Sequence, residues 1–179
     1  IGVHIGYATV QFEIPDGGLS DWKGCNTFPK LPQSTRGALM LPVEGGRWQL
    51  SLGSLLSEEP PATLNAFMHT VQGLRTQTIA RALAGAKPVT EVARFGFTGS
   101  RHRHYERLGE FPRGLLTLGD ALCRFNPVYG QGMSVAAQEG LLLRDFLGAR
   151  QGLADPLEKL APDFFAGCAR LIETPWEIA

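Results

Sequence analysis

Residues 115–147 read LLTLGDALCRFNPVYGQGMSVAAQEGLLLRDFL, and no other stretch limits so tightly what the chain can fold into. The apolar run 115–118 predicts a short buried strand, Gly119-Asp120-Ala121 a turn, and Asn126-Pro127 with Gly130-Gln131-Gly132 an irregular loop. A helix of about four turns then follows. Its entrance is unusual. The first N–H groups of a helix have no partner inside it, so a Ser, Thr, Asp or Asn cap and an acidic first turn normally precede the apolar periodicity. Gly130, Gln131, Gly132 and Met133 supply neither. Two glycines instead remove side-chain bulk where those N–H groups and the positive end of the helix dipole point, so an electron-rich group can approach the backbone.

Residue chemistry leaves two readings open here: a tight turn before a core helix, or a ligand-binding helix end. It excludes a dinucleotide fingerprint, because Gly130-x-Gly132-x-x-Val135 lies too far after its strand for the tight strand-to-helix turn that motif needs. Gly119-Asp120-Ala121 followed by Pro127, Gly130, Gly132 and a helix rich in Ala and Leu resembles the second flavin-binding motif of the FAD-dependent aromatic hydroxylases, a family that includes p-hydroxybenzoate hydroxylase and squalene epoxidase. The form Phe125-Asn126-Pro127-Val128-Tyr129-Gly130-Gln131-Gly132-Met133 is similar to a bacterial branch of monooxygenases and epoxidases. The resemblance implies that Gly119 and Asp120 form the cofactor turn, with Asp120 bonded to a ribityl hydroxyl of FAD. It also implies that Pro127 packs over the flavin ring, and that the helix end at Gly130, Gly132 and Met133 faces the flavin pyrimidine edge and stabilises charge there.

At 179 residues with 44% hydrophobic content, the chain can bury a real core in one domain or a domain and a half. Seventeen basic and seventeen acidic residues cancel, which argues against a nucleic-acid or membrane-surface role carried by charge. Cys25, Cys123 and Cys168 are widely spaced and show no metal-type pairing, as expected of reduced thiols in a cytoplasmic protein. No run approaches the roughly 20 apolar residues of a membrane span, and nothing resembles a signal peptide.

The chain opens at Ile1 directly into a strand-like run, 3–14, with no Gly-x-Gly-x-x-Gly turn or downstream acid. The resembled family carries those features in its N-terminal half, so the expectation is the C-terminal portion of a larger flavoprotein. The fold class expected is α+β. A mixed, largely antiparallel substrate-domain sheet with covering helices would occupy residues 1–113, and the last strand and helices of the FAD domain residues 114–179. Alone, such a piece is expected to hold FAD poorly and to self-associate through unpaired strand edges.

In chain order, Pro15-Asp16-Gly17-Gly18 is a turn signal, and 19–36 lacks periodicity and reads as a loop. Gly45-Gly46 predicts a hairpin with a two-residue turn. It would pair Glu44 with Arg47, Val43 with Trp48, Leu41 with Leu50 and Leu39 with Leu52. One face, Leu39, Leu41, Val43, Trp48, Leu50 and Leu52, would then be core, and the other would carry Met40, Pro42, Gln49 and Ser51. By analogy with the family, whose sheet roofs the substrate cavity, those last four are candidate substrate contacts; solvent exposure is the alternative.

Pro60-Pro61 opens a helix with Leu64, Phe67, Met68 and Val71 at i, i+3, i+4 and i+7. His69 lies off that stripe and reads as a surface residue. A short helix at 76–84 and a strand at 89–97 follow. Residues 100–107, Ser-Arg-His-Arg-His-Tyr-Glu-Arg, read as a solvated basic edge with Tyr105 packed beneath, or as a phosphate-binding patch. A metal at His102, His104 and Glu106 is not expected, since a lone H-x-H lacks a third spaced ligand and three arginines repel a cation. Asp155-Pro156 caps a new element, Pro162 breaks it, and a last helix, 162–172, stops at Thr174-Pro175.

No G-x-S-x-G, H-E-x-x-H, P-loop or C-x-x-C pair is present, and no catalytic side chain stands out. The resemblance therefore implies cofactor chemistry. FAD would be reduced by NADH or NADPH and react with molecular oxygen to a flavin hydroperoxide, and one oxygen would pass to a small apolar or aromatic substrate. A same-fold flavin reductase is the enzymatic alternative. A non-catalytic module binding an apolar ligand or a partner protein is the alternative from another class.

Overall fold

The computed structural model describes residues 4–15, 21–55 and 58–178, which form two compact units, 4–98 and 99–178. The first is an antiparallel sheet covered by two helices. Strand β1 (Ile5–Glu13) lies at its centre. β2 (Cys25–Thr27), β3 (Arg36–Val43) and β4 (Arg47–Leu55) follow on one side, in the order β2-β3-β4-β1. On its other side β1 pairs with both β5 (Lys87–Pro88) and β6 (Ala93–Phe97). The expected loop at 19–36 thus contains a strand, β2, and the expected strand 89–97 is interrupted. The turn signal at 15–18 lies largely outside the described residues.

Alternation along β1 buries Ala8, Val10 and Phe12 on one face. Onto it pack α1 (Leu64–Gln72) and α2 (Thr78–Ala82), through Phe67, Val71, Leu74, Ile79 and Leu83. Thr63 caps α1, its hydroxyl accepting the Ala66 N–H at 3.3 Å. His69 is exposed, as expected.

The β3–β4 hairpin forms, but in a register shifted by one residue. Val43 pairs with Arg47, Pro42 with Trp48, Met40 with Leu50 and Ala38 with Leu52. The cause is the turn: it takes three residues, Glu44–Gly46, with Gly45 and Gly46 at φ 78° and 69°, a left-handed conformation that glycine adopts freely. One residue more than a two-residue turn carries every β3 side chain to the opposite face. The expected face survives on β4, where Trp48, Leu50 and Leu52 are buried, and is inverted on β3. There Ala38 and Met40 join the core, while Leu39 and Leu41 are each 41% exposed.

In the second unit, β7 (Arg101–His102) and β8 (Cys123–Arg124) form a two-residue ladder. Helices α3 (Gly132–Ala149) and α4 (Leu160–Ile178) pack through Val135, Leu142, Leu143 and Phe146 on Phe164, Phe165, Cys168 and Ile172. They approach closely at Gly167, where a Cβ would stand 2.9 Å from a Leu142 methyl. The units divide at Thr98/Gly99, ahead of the expected 113/114, because Tyr105 and Phe111 stack on Phe165 with centroids 5.3 and 4.8 Å away.

Two expectations fail in this unit. Residues 115–118 are no strand: Leu118 is extended (φ −138°, ψ 160°), but no described strand pairs with this segment, and Leu115 and Leu118 are 49% and 38% exposed. The last helix also runs through Pro175 to Ile178. Proline forfeits one backbone bond there, but the turn it sits in carries Trp176, whose ring lies 6.1 Å from Phe125 and 5.4 Å from His102. Tertiary packing outweighs the local signal. Asp155 begins a short turn ahead of α4, its carboxylate accepting the Leu157 N–H at 3.1 Å.

Candidate functional site

The site is the turn and helix end that residues 119–133 build on α3. Gly119–Ala121 forms one 3-10 turn, held from both sides. Glu139, about two turns into α3, accepts the Gly119 N–H at 2.7 Å. Arg103 donates to the carbonyls of Asp120 (3.1 Å) and Ala121 (3.3 Å), and the Tyr105 hydroxyl to that of Ala121 (3.4 Å). With its backbone clamped, Asp120 presents its own carboxylate to the exterior.

Leu122, Cys123 and Phe125 then anchor the chain in the core. Asn126 is buried, and its side-chain oxygen accepts the Val128 N–H at 3.1 Å, shaping the Pro127–Tyr129 turn. That turn closes at Gly130, whose φ of 65° again requires the left-handed region. α3 begins two residues later. Its first internal bond runs from the Val135 N–H to the Gln131 carbonyl at 3.0 Å. No side-chain cap and no acidic residue serves its first turn, and the space beside Gly132 is open where a Cβ would stand. The N–H groups of Gly132, Met133 and Ser134 therefore point out of the helix end toward whatever lies there. Met133 is 87% exposed, and Pro127 is exposed.

Of the motif residues, Gly119, Asp120, Pro127, Gly130, Gly132 and Met133 all fall on this one turn-and-helix unit. The four candidate substrate residues do not share a face. Met40 is wholly buried in the core and Pro42 lies on its side of the sheet, while Gln49 and Ser51 lie on the opposite side. That opposite side carries three rows of paired residues: Tyr7 beside Phe95 and Gly53, Thr9 beside Ser51, and Gln11 beside Gln49. Leu39 and Leu41 extend the second and third rows. Thr9 and Ser51 hydroxyls are bonded at 2.8 Å, and the Tyr7 ring covers Gly53. Burial pushes the Tyr7 phenol above its usual range.

Sequence reasoning passed over Glu139, Arg103 and Tyr105 as site builders. Glu139 had a signal: it sits at i+4 from Val135 and i−4 from Leu143, an acid on an apolar stripe. It is fully buried; burial raises its carboxyl pKa, and the Gly119 bond only partly opposes this. The nearby Cys123 and Cys168 thiols are pushed up to about 12, first by burial and then by the Glu139 charge, so both stay protonated and inert.

No family model matches the chain. It is 36% identical over 150 residues to Protein Rv3254 of Mycobacterium tuberculosis, a match covering 84% of this chain and 31% of that protein. Among solved structures it superposes on Pseudomonas aeruginosa PqsL in complex with 2-aminobenzoylacetate (TM-score 0.61, 15% identity). That match covers 94% of this chain and 46% of PqsL. It also superposes on the R204Q form of Klebsiella pneumoniae HpxO complexed with FAD (TM-score 0.57, 18% identity), covering 96% of this chain and 42% of HpxO. The chain thus spans less than half the length of each. The α+β architecture is that of part of a FAD-binding monooxygenase fold.

Proposed function

We propose that this chain is the part of a FAD-dependent oxidoreductase of the monooxygenase type that holds the ring end of the cofactor and the substrate. The observation that carries the reading is the uncapped N-terminus of α3, fixed beside the Asp120 turn by a fully buried glutamate. The donor set fits FAD. Asp120 would accept a bond from a ribityl hydroxyl, and the N–H groups at Gly132 and Met133 would donate to the oxygen-bearing edge of the flavin. The helix dipole would favour negative charge there. When bound, FAD supplies electron transfer from NAD(P)H and activation of molecular oxygen.

The substrate reading moves with the corrected register. The open sheet face sets Tyr7 and the 57% exposed Phe95 at one end and Leu39 and Leu41 at one edge, with Thr9, Gln11, Gln49 and Ser51 between them. Large apolar surface around a few hydrogen-bonding groups suits a small aromatic or apolar molecule with one or two polar substituents.

The test is made in a protein that joins this chain to a segment bearing Gly-x-Gly-x-x-Gly. Asp120→Ala should weaken FAD binding by about ten- to a hundred-fold, the worth of a bond to a charged acceptor, about 1.5–3 kcal/mol. Unchanged flavin content would reduce Asp120 to a turn residue. Oxygen uptake that depends on substrate separates a monooxygenase from a reductase, which would oxidise NAD(P)H equally well without oxygen when an artificial electron acceptor such as ferricyanide is supplied.

A further inference from the structure

A second group of ligand-bearing side chains converges ahead of the cofactor turn. His102 ends β7, His104 follows at φ −84° and ψ 66°, and Glu106 lies within the 3-10 turn Tyr105–Arg107. On a straight strand, residues i and i+4 stand about 13 Å apart. The turn folds them together instead. His104 Nδ1 lies 2.8 Å from Glu106 Oε1, and the two imidazole centroids are 4.0 Å apart. One ligand atom from each of the three residues lies within 4.8 Å of the others. In a tetrahedral zinc site, bonds of about 2.1 Å put neighbouring ligands about 3.4 Å apart, so small side-chain rotations suffice. His102 Nε2 is buried without a partner among the described residues, and the Trp176 ring backs that imidazole at 5.4 Å.

The neighbouring arginines do not close the site. Arg103 is committed to the carbonyls of Asp120 and Ala121, and Arg101 is exposed on the strand. Arg107 Nε stands 3.5 Å from Glu106 Oε1, a loose contact that a bound cation would replace.

We propose that His102, His104 and Glu106 bind one divalent transition ion of the zinc class, with water completing the coordination. The two imidazoles are borderline ligands and, beside a single carboxylate, favour such ions over calcium or magnesium. The ion would staple β7 to the turn Tyr105–Arg107, which together with Arg103 holds Gly119–Ala121, and its binding does not depend on flavin.

Titration of the 179-residue chain with cobalt(II) tests this. One equivalent should bind, giving visible d–d bands without a thiolate charge-transfer band, and zinc should displace it. His104→Ala, at an exposed residue, and Glu106→Gln, which preserves side-chain size, should each weaken binding at least about tenfold with unchanged far-ultraviolet circular dichroism. His102→Ala should do the same. His69→Ala and Cys25→Ala should bind as the parent does. Absence of binding, binding that survives both His104→Ala and Glu106→Gln, or binding lost in Cys25→Ala would each overturn the proposal.

Discussion

The two compact units treat buried polarity in opposite ways. Among the described residues of 4–98, each buried polar side chain has a partner. Thr27 bonds Thr76 at 3.1 Å, Ser54 donates to the Glu58 carbonyl at 3.1 Å, and Thr70 donates to the Ala66 carbonyl at 2.9 Å. In residues 99–178, Ser100, His102, Thr117, Gln131 and Glu139 each bury a polar atom that none of the described residues satisfies. Such an atom costs about 1–3 kcal/mol. These atoms lie beside the Asp120 turn, at the α3 entrance and at the two-histidine group, and each is left for water or another group to satisfy. The sheet unit is a finished scaffold, whereas the helical unit leaves buried polar atoms that the described residues do not satisfy.

The largest expected effect tests the finished scaffold and its register together. Met40 is wholly buried and Leu41 is 41% exposed, so Met40→Ala should cost about 2–5 kcal/mol and Leu41→Ala about 0.5 kcal/mol or less. Midpoints of urea unfolding measure both. If Leu41→Ala proved the costlier change, the hairpin would pair through a two-residue turn and the core face of β3 would be inverted.

That register also marks how far sequence could be read. Alternation fixed which β4 residues are buried, since Trp48, Leu50 and Leu52 face in under either turn. The β3 face depended on whether Glu44 belongs to the strand or the loop, and no local propensity decides between a two- and a three-residue turn at Glu-Gly-Gly. The Asp120 turn was legible as a turn because Gly119, Gly130 and Gly132 act through local backbone geometry. Its supports were not, because Arg103 and Glu139 reach it from 17 and 20 residues away. Pro175 misled for the same reason: the packing of Trp176 is invisible to a rule about backbone donors. Residues 115–118 look like a strand in composition, yet a strand is defined by its neighbour.

A smaller effect is expected where the helical unit buries unsatisfied polar atoms. Glu139→Ala removes the acceptor of the Gly119 N–H and should cost about 1–3 kcal/mol. Glu139→Gln keeps an oxygen acceptor and removes the buried charge, so it should cost less near neutral pH. The two also separate by pH. Burial raises the Glu139 pKa above 4.5, so above that pH the folded state holds a proton that the unfolded state has released. Its contribution to stability is therefore greatest in acid and declines as pH rises toward the raised value. In Glu139→Gln that decline should vanish. A decline unchanged in Glu139→Gln would assign it to another group.

The smallest effect has the opposite sign and comes from the sheet unit. Bonds from Arg36 and then Thr35 hold the Glu58 carboxyl below its ordinary 4.5, against a weaker push from partial burial. Its contribution is thus present above pH 4.5 and lost as pH falls through the lowered value. The pair is partly exposed, with side-chain exposures of 41% and 35%, so solvent screens it and Glu58→Gln should cost less than about 1 kcal/mol at neutral pH. Salt then distinguishes the units: at 1 M the Debye length shrinks to about 3 Å. The Glu58 contribution should fall toward zero, whereas the slope due to Glu139, buried beyond the reach of counterions, should persist. If both slopes faded together in salt, Glu139 would be reached by solvent, and the contrast between a satisfied sheet and an unsatisfied helical unit would fail at its most buried charge.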